Sequence, residues 1–153
     1  MPSIQIKTKF IISFIIIASI GFLDAVYLTS KYFVGTINCG VWTGCQEVLN
    51  SSYSSIWGFP TAGFGVLYYL SIIIAALLYW QIQHKLSAAY LMLVPSLGFI
   101  FTLWLVYLQV WVIKYICIYC MLSAVSSTLI FILSIIIFRQ YKKSPSTISP
   151  TEE

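Results

Sequence analysis

The stretch YICIYCMLSAVSSTLIFILSIIIF, Tyr115 to Phe138, decides how the chain is read. A helix rising 1.5 Å per residue crosses the hydrocarbon core of a bilayer with about 20 apolar residues, so this run predicts a membrane span. At its head stands Cys117-Ile118-Tyr119-Cys120. Two cysteines at this spacing on the first turn of a helix can close a small disulfide ring. The unpaired N–H groups and positive dipole end of the helix favour thiolate over thiol there. A structural disulfide rarely closes so small a ring, because the stabilisation grows with loop length. The position therefore points to redox chemistry.

Outward from this run, the same pattern repeats. The chain has 153 residues, 60% hydrophobic and only 8% charged, a composition outside the range of ordinary soluble domains. Three further apolar runs predict spans over about 10–28, 61–80 and 88–113, with the last span over 115–138. Lys7 and Lys9 before the first run suggest a signal peptide. The run is long for one, however, and no Ala-x-Ala site follows. Pro60 precedes the second span, Pro95 is placed to kink the third, and Lys114 makes a tight turn into the fourth. The expected fold is an all-α integral membrane protein: a four-helix bundle with a long outer loop, 29–60, and a short half-helix capping it. Residues 1–9 form the N-terminus, and 139–153 read as a disordered tail.

Four spans put both termini on one side. Lys7, Lys9, Lys85, Arg139, Lys142 and Lys143 fall on that side, and Lys31 and Lys114 on the other. This bias places the termini in the cytoplasm. The net charge of +4 is scattered along membrane-flanking segments without a basic face, which argues against nucleic acid as a partner. All four cysteines then fall on the outer side, where disulfides persist. Cys39 and Cys45 lie in the loop, flanked by Gly40 and Gly44. By themselves they read equally well as a static disulfide. With a second pair on the same face, exchange through a mixed disulfide becomes open to them. A zinc site from four thiolates is the alternative, disfavoured by the loose Cys-x5-Cys spacing. Asp24 lies inside the first span, either as a functional acid or as an interfacial one capped by water or a loop N–H. Tyr68, Tyr69, Trp104, Tyr107 and Trp111 either belong to interfacial belts or line a flat aromatic-ligand pocket. His84 sits on the cytoplasmic turn and receives no chemistry.

Taken together, these features resemble the vitamin K epoxide reductase family. The resemblance rests on the two-Cys loop with Ser51, Ser52, Ser54 and Ser55, on Gly58-Phe59-Pro60, on a span with Gly63, Gly65 and Tyr68, and on the final Cys-x-x-Cys. Gly21-Phe22-Leu23-Asp24-Ala25-Val26-Tyr27-Leu28 is similar to the first-span motif of prokaryotic members. The resemblance implies a bundle around a quinone of ubiquinone, menaquinone or vitamin K type. It implies that Cys120 faces the quinone, that Cys117 takes electrons from Cys45, and that Cys39, paired with Cys45, meets an external partner. Ser51 matches a serine in the half-helix after the second loop cysteine, and Thr61 a polar quinone-contacting position opening the second span. Ala124 stands where animal members carry a tyrosine touching the vitamin K head group, which puts vitamin K epoxide itself in question as substrate. Many bacterial members are fused to a thioredoxin-like domain. Here the expected partner is a separate thioredoxin-like protein with its own Cys-x-x-Cys, and the expected location a prokaryotic cell membrane. A non-catalytic membrane protein with structural disulfides or a metal clip is the competing reading.

The charge bias makes a direct prediction. Reporters fused at either terminus should read cytoplasmic, and a membrane-impermeant reagent should reach residues 29–60 from outside. An external terminus would overturn the compartment argument.

Overall fold

A computed structural model describes residues 2–35, 44–82 and 85–143 of the chain. Cys39, His84 and the tail beyond residue 143, expected to be disordered, lie outside them. The long helices are α1 (Pro2–Val34), α3 (Thr61–Ile82), α4 (Lys85–Tyr107) and α5 (Ile118–Lys143), with a short helix α2 (Gly44–Asn50) after α1. Four helices are long and apolar enough to cross a membrane, over Thr8–Val34, Thr61–Gln81, Ala89–Ile113 and Ile118–Arg139. Between 17% and 39% of the most apolar window of each is buried by protein. The remaining apolar surface, Leu23, Leu67, Leu93 and Ile100 among it, faces outward and matches a lipid environment rather than water. The molecule is an all-α integral membrane bundle.

Several boundaries differ from the sequence expectation. The first helix continues to Val34, six residues past the expected end at Leu28, and stops at Gly35, whose φ of +79° no other residue adopts cheaply. The Gly35 N–H closes the last turn on the Lys31 carbonyl at 2.9 Å. Asp24 therefore lies deep within a continuous helix, not near its end. The final helix starts at Ile118 rather than Tyr115 and runs on to Lys143, five residues into the expected tail. Apolar content marks where lipid begins and ends, whereas helices extend as far as their backbone bonds can be closed.

Between α2 and α3 the chain makes a minimal hairpin, β1 (Ser55–Ile56) and β2 (Phe59–Pro60), with Ile56 opposite Phe59. Trp57 and Gly58 turn it with φ of 53° and 82°, the two positive values a tight two-residue turn needs. Trp57 is 99% exposed at the tip. The hairpin delivers Thr61 to the start of α3, where its N–H bonds the Ser54 carbonyl at 2.8 Å.

In a bilayer, helices gain little by hiding apolar surface from lipid, so close packing and polar contacts hold them together. Here α1 packs on α3 and α5, and α4 on α5 and α3. Two adjacent tyrosines of α3 make the joints. Tyr69 lies over Gly21 of α1, and Tyr68 over Gly98 of α4, each ring occupying the space a Cβ would need. Both hydroxyls reach α5. Tyr69 Oη donates to the Ser123 carbonyl at 3.0 Å, and Tyr68 Oη lies 3.5 Å from Ser127 Oγ. Phe99 and Phe131 stack at 4.7 Å between α4 and α5, and Ser134 Oγ donates to the Leu91 carbonyl. Pro95, buried inside α4, leaves one backbone carbonyl of that helix without its usual partner.

The glycine hollows set a stability test. Gly21→Ala should destabilise by about 1–3 kcal/mol, because its methyl group meets a ring that cannot move aside. Gly63→Ala, whose nearest neighbour would be Pro60 Cγ at 3.5 Å, should be neutral or slightly stabilising. Thermal unfolding in one detergent compares the two. Equal midpoints would mean that Tyr69 is not wedged against α1.

Candidate active site

The turn at Lys114 builds the site. Residues Leu108–Ile113 form a π-helical turn, and Lys114 ends it in the left-handed conformation at φ 59°. Three more residues of irregular chain, 115–117, follow before α5 begins at Ile118. Cys117 caps that helix: its carbonyl accepts the Met121 N–H at 3.0 Å. It thus sits just ahead of the first turn, while Cys120 lies within it. Cys117 is fully buried, and Cys120 half-buried. Both are free thiols. The Cys117 thiol is held below the usual thiol range, at about 7, chiefly by the hydrogen bond from Cys120. The free Cys120 and Tyr119 N–H groups at the helix start act in the same direction, against burial and the Asp24 charge. The middle of the motif is pinned to α1, with Tyr119 packed at 5.0 Å on Tyr27 and the Lys31 ammonium 5.5 Å from the Tyr27 ring centre.

The loop cysteine comes to the same place. Gly44 opens α2 against the backbone of Ile116; a Cβ on it would lie 2.5 Å from the Ile116 carbonyl oxygen. Only glycine allows this approach. It seats Cys45, itself fully buried, in one apolar cluster with Cys117 and Leu28, and Cys120 packs against that cluster. Cys45 is in a disulfide. The structure thus brings three of the four sequence-predicted cysteines together, and the fourth, Cys39, lies outside the described residues.

Beneath the cluster, between the four spans and under α2 and the hairpin, lies a cavity of about 580 Å³. That volume is within the usual range for small-molecule sites. Its walls are mostly apolar, including Leu28, Phe64, Leu97 and Phe101, and Cys120 is on the wall whereas Cys117 is not. Of the aromatic residues singled out in the sequence, Tyr68 and Tyr69 line it; Trp104, Tyr107 and Trp111 do not and are each more than half exposed. Ser51 and Thr61 also line it. Their hydroxyl hydrogens are spent on the Val48 and Tyr53 carbonyls, at 2.7 and 3.0 Å, so towards the cavity they accept hydrogen bonds rather than donate. The short helix carries Cys45 itself and ends at Asn50, so Ser51 follows that helix rather than lying in it. Gly44 is small enough to let the helix begin early.

Two polar residues complete the surroundings. Asp24 is buried on α1, and its Oδ2 has no hydrogen-bond partner among the described residues, although its charge acts on Cys117. Gln109, also buried, accepts the Cys117 N–H on Oε1 at 3.2 Å and lines the cavity. Sequence reading passed over it. Its one signal was a carboxamide inside the apolar run Phe101–Ile113, but α-helical spacing does not say which way it faces. The π-helical turn, with its extra residue, changes the face and buries Leu108 and Gln109 side by side.

No curated protein matches the chain. The model of the vitamin K epoxide reductase family matches residues 12–135, from early in the first span to within the last. The matched segment contains the buried cysteine cluster, the cavity beneath it, the second and third spans, and most of the first and last. With most of its length covered, this multi-pass membrane chain belongs to the vitamin K epoxide reductase family and is an oxidoreductase.

Proposed function

We propose that this protein is a quinone-coupled thiol–disulfide oxidoreductase supporting disulfide formation outside the cytoplasm. Electrons enter from a separate thioredoxin-like protein at Cys39 and Cys45, pass to Cys117 and Cys120, and leave to a membrane quinone. One observation carries the reading: the Cys-x-x-Cys divides its two sulfurs between two neighbours. Cys117 is buried against Cys45, and Cys120 stands on the wall of an apolar cavity.

The cavity suits a quinone ring in volume and apolarity, with Cys120, Gln109 and Ser123 as its polar points near the motif. When bound, a quinone supplies an acceptor for two electrons and two protons. The chain's part is thiol chemistry. A reduced partner gives its two electrons to the loop disulfide and is itself oxidised. The loop dithiol then reduces a Cys117–Cys120 disulfide through a transient bond between pairs. The reformed motif dithiol gives up two electrons and two protons at the Cys120 side as its disulfide closes again. The outer-side location rests on the Lys and Arg bias.

Each pair should fail differently. Cys120→Ser should abolish quinone reduction with any thiol donor. Cys39→Ser should lose turnover with a protein partner yet keep it with a small membrane-permeant dithiol. Absorbance of the quinone follows both, and equal failure with the small dithiol would refute the relay order. A protein lacking Cys39 and Cys120 should form a Cys45–Cys117 disulfide on mild oxidation, seen as linked peptides by mass spectrometry. Two free thiols in that folded variant would make the loop pair a static staple.

Acidity gives a third check. In the reduced protein, thiolate absorbance from Cys117 should be lost as pH falls through about 7. In Cys120→Ala the transition should move upward, because the largest cause of the low value is removed. An unmoved transition would show that Cys120 does not act on Cys117.

A further inference from the structure

The Cys117–Cys120 pair raises a problem that the cysteines do not solve themselves. Their hydrogen bond leaves negative charge on Cys117, the sulfur sealed away from the cavity. An acceptor in the cavity meets Cys120. For the pair to act on a cavity ligand, charge must be supported on Cys120 as well, within a buried setting where an unassisted thiolate is costly. The described ionisable groups facing Cys120 are Cys117 and Asp24 of α1, and when ionised each is a like charge that repels a second negative charge nearby. Tyr68 and Tyr69 of α3 share the cavity wall, and Cys45 of α2 is disulfide-bonded and does not titrate. No cation among these groups offsets them.

Gln109 stands at the remaining side. Its orientation is fixed, because Oε1 takes the Cys117 N–H at 3.2 Å within a residue only 4% exposed. A carboxamide anchored by its oxygen has its NH2 group left over, with two hydrogens to place. Gln109 shares the cavity wall with Cys120, and its side chain is within hydrogen-bonding reach of the Cys120 sulfur. We propose that Gln109 is the positioning residue of the motif: its oxygen holds the Cys117 backbone while its NH2 group stabilises negative charge on the Cys120 sulfur. The proton shared by the two thiols can then shift towards Cys117 and leave the charge on the sulfur that faces the cavity. An uncharged donor does this work without bringing a cation to the wall of an apolar cavity.

This inference rests on the quinone reading for its purpose, but its test needs no quinone. Full-length protein, reduced and in detergent, is pulsed with N-ethylmaleimide from pH 6 to 9, and the Cys120 adduct is quantified by mass spectrometry. Gln109→Leu removes both bonds. Gln109→Glu keeps an oxygen for the Cys117 N–H but loses the NH2 group. We expect Cys120 to react about tenfold more slowly in Gln109→Leu, the equivalent of one hydrogen bond to a charged sulfur. In Gln109→Glu it should fall further behind the wild type as pH rises. A Glu variant matching the wild type across the range would overturn the proposal and leave Gln109 as a backbone anchor. Should the Leu variant fail to fold, judged by thermal unfolding, the Glu comparison decides alone. Slow Cys120 labelling in Gln109→Glu with intact quinone turnover would uphold the positioning role and count against Cys120 as the electron exit. The two readings can thus fail separately.

Discussion

Lipid does not push these helices together, and that constraint shapes everything else in the molecule. Burying leucine against leucine gains little when the alternative is leucine against an acyl chain. Association must come from surfaces that fit and from polar groups with no better partner. The Tyr68–Tyr69 pair supplies both. Each ring enters a hollow that only glycine leaves open, Gly98 on one side and Gly21 on the other, and each hydroxyl is directed at α5. One dipeptide thus ties α3 to all three other spans. The same rings form one wall of the cavity, so the groups that hold the bundle closed also hold a space open inside it.

The second constraint is that the cap over the bundle must be held against it. The chain meets it by packing Cys45 of α2 and Cys117 ahead of α5 into one buried cluster. Gly44 is the residue on which this depends: any side chain there would strike the Ile116 carbonyl and lift α2 away. The hairpin after α2 fixes the return path, and the Thr61 hydroxyl and N–H stitch it to the head of α3. The cap is therefore held at both ends, at Gly44 against the motif and at Thr61 against the second span.

Much of this was legible in the sequence. Four apolar runs gave four spans, because hydropathy over a window of about 20 residues is a direct reading of the bilayer's thickness. The placement of Cys117 and Cys120 at the head of the last span was legible too. Two sulfurs one helical turn apart, at the head of an apolar run, are held within reach of each other by the backbone alone. Helix ends were less so: α1 continues past Leu28 to Val34 because its backbone can go on closing bonds beyond the apolar stretch. The half-helix was expected after Cys45, but it contains that residue, since the glycine that lets α2 dock also begins it. Gln109 was not legible at all. Its direction depends on a π-helical turn whose register no local pattern announces.

Asp24 shows how the two constraints meet. A carboxyl group buried inside a membrane helix, its Oδ2 without a hydrogen-bond partner among the described residues, calls for a physical reason. Its charge acts on Cys117 of the dithiol and opposes a thiolate there. Negative charge on the carboxyl and negative charge on the sulfurs are therefore mutually exclusive in degree: each makes the other harder to hold. Closing the Cys117–Cys120 disulfide removes the sulfur charge and with it the repulsion. The carboxyl on α1 and the N–H groups at the start of α5 therefore act on the dithiol in opposite directions, the first against charge on sulfur and the second for it.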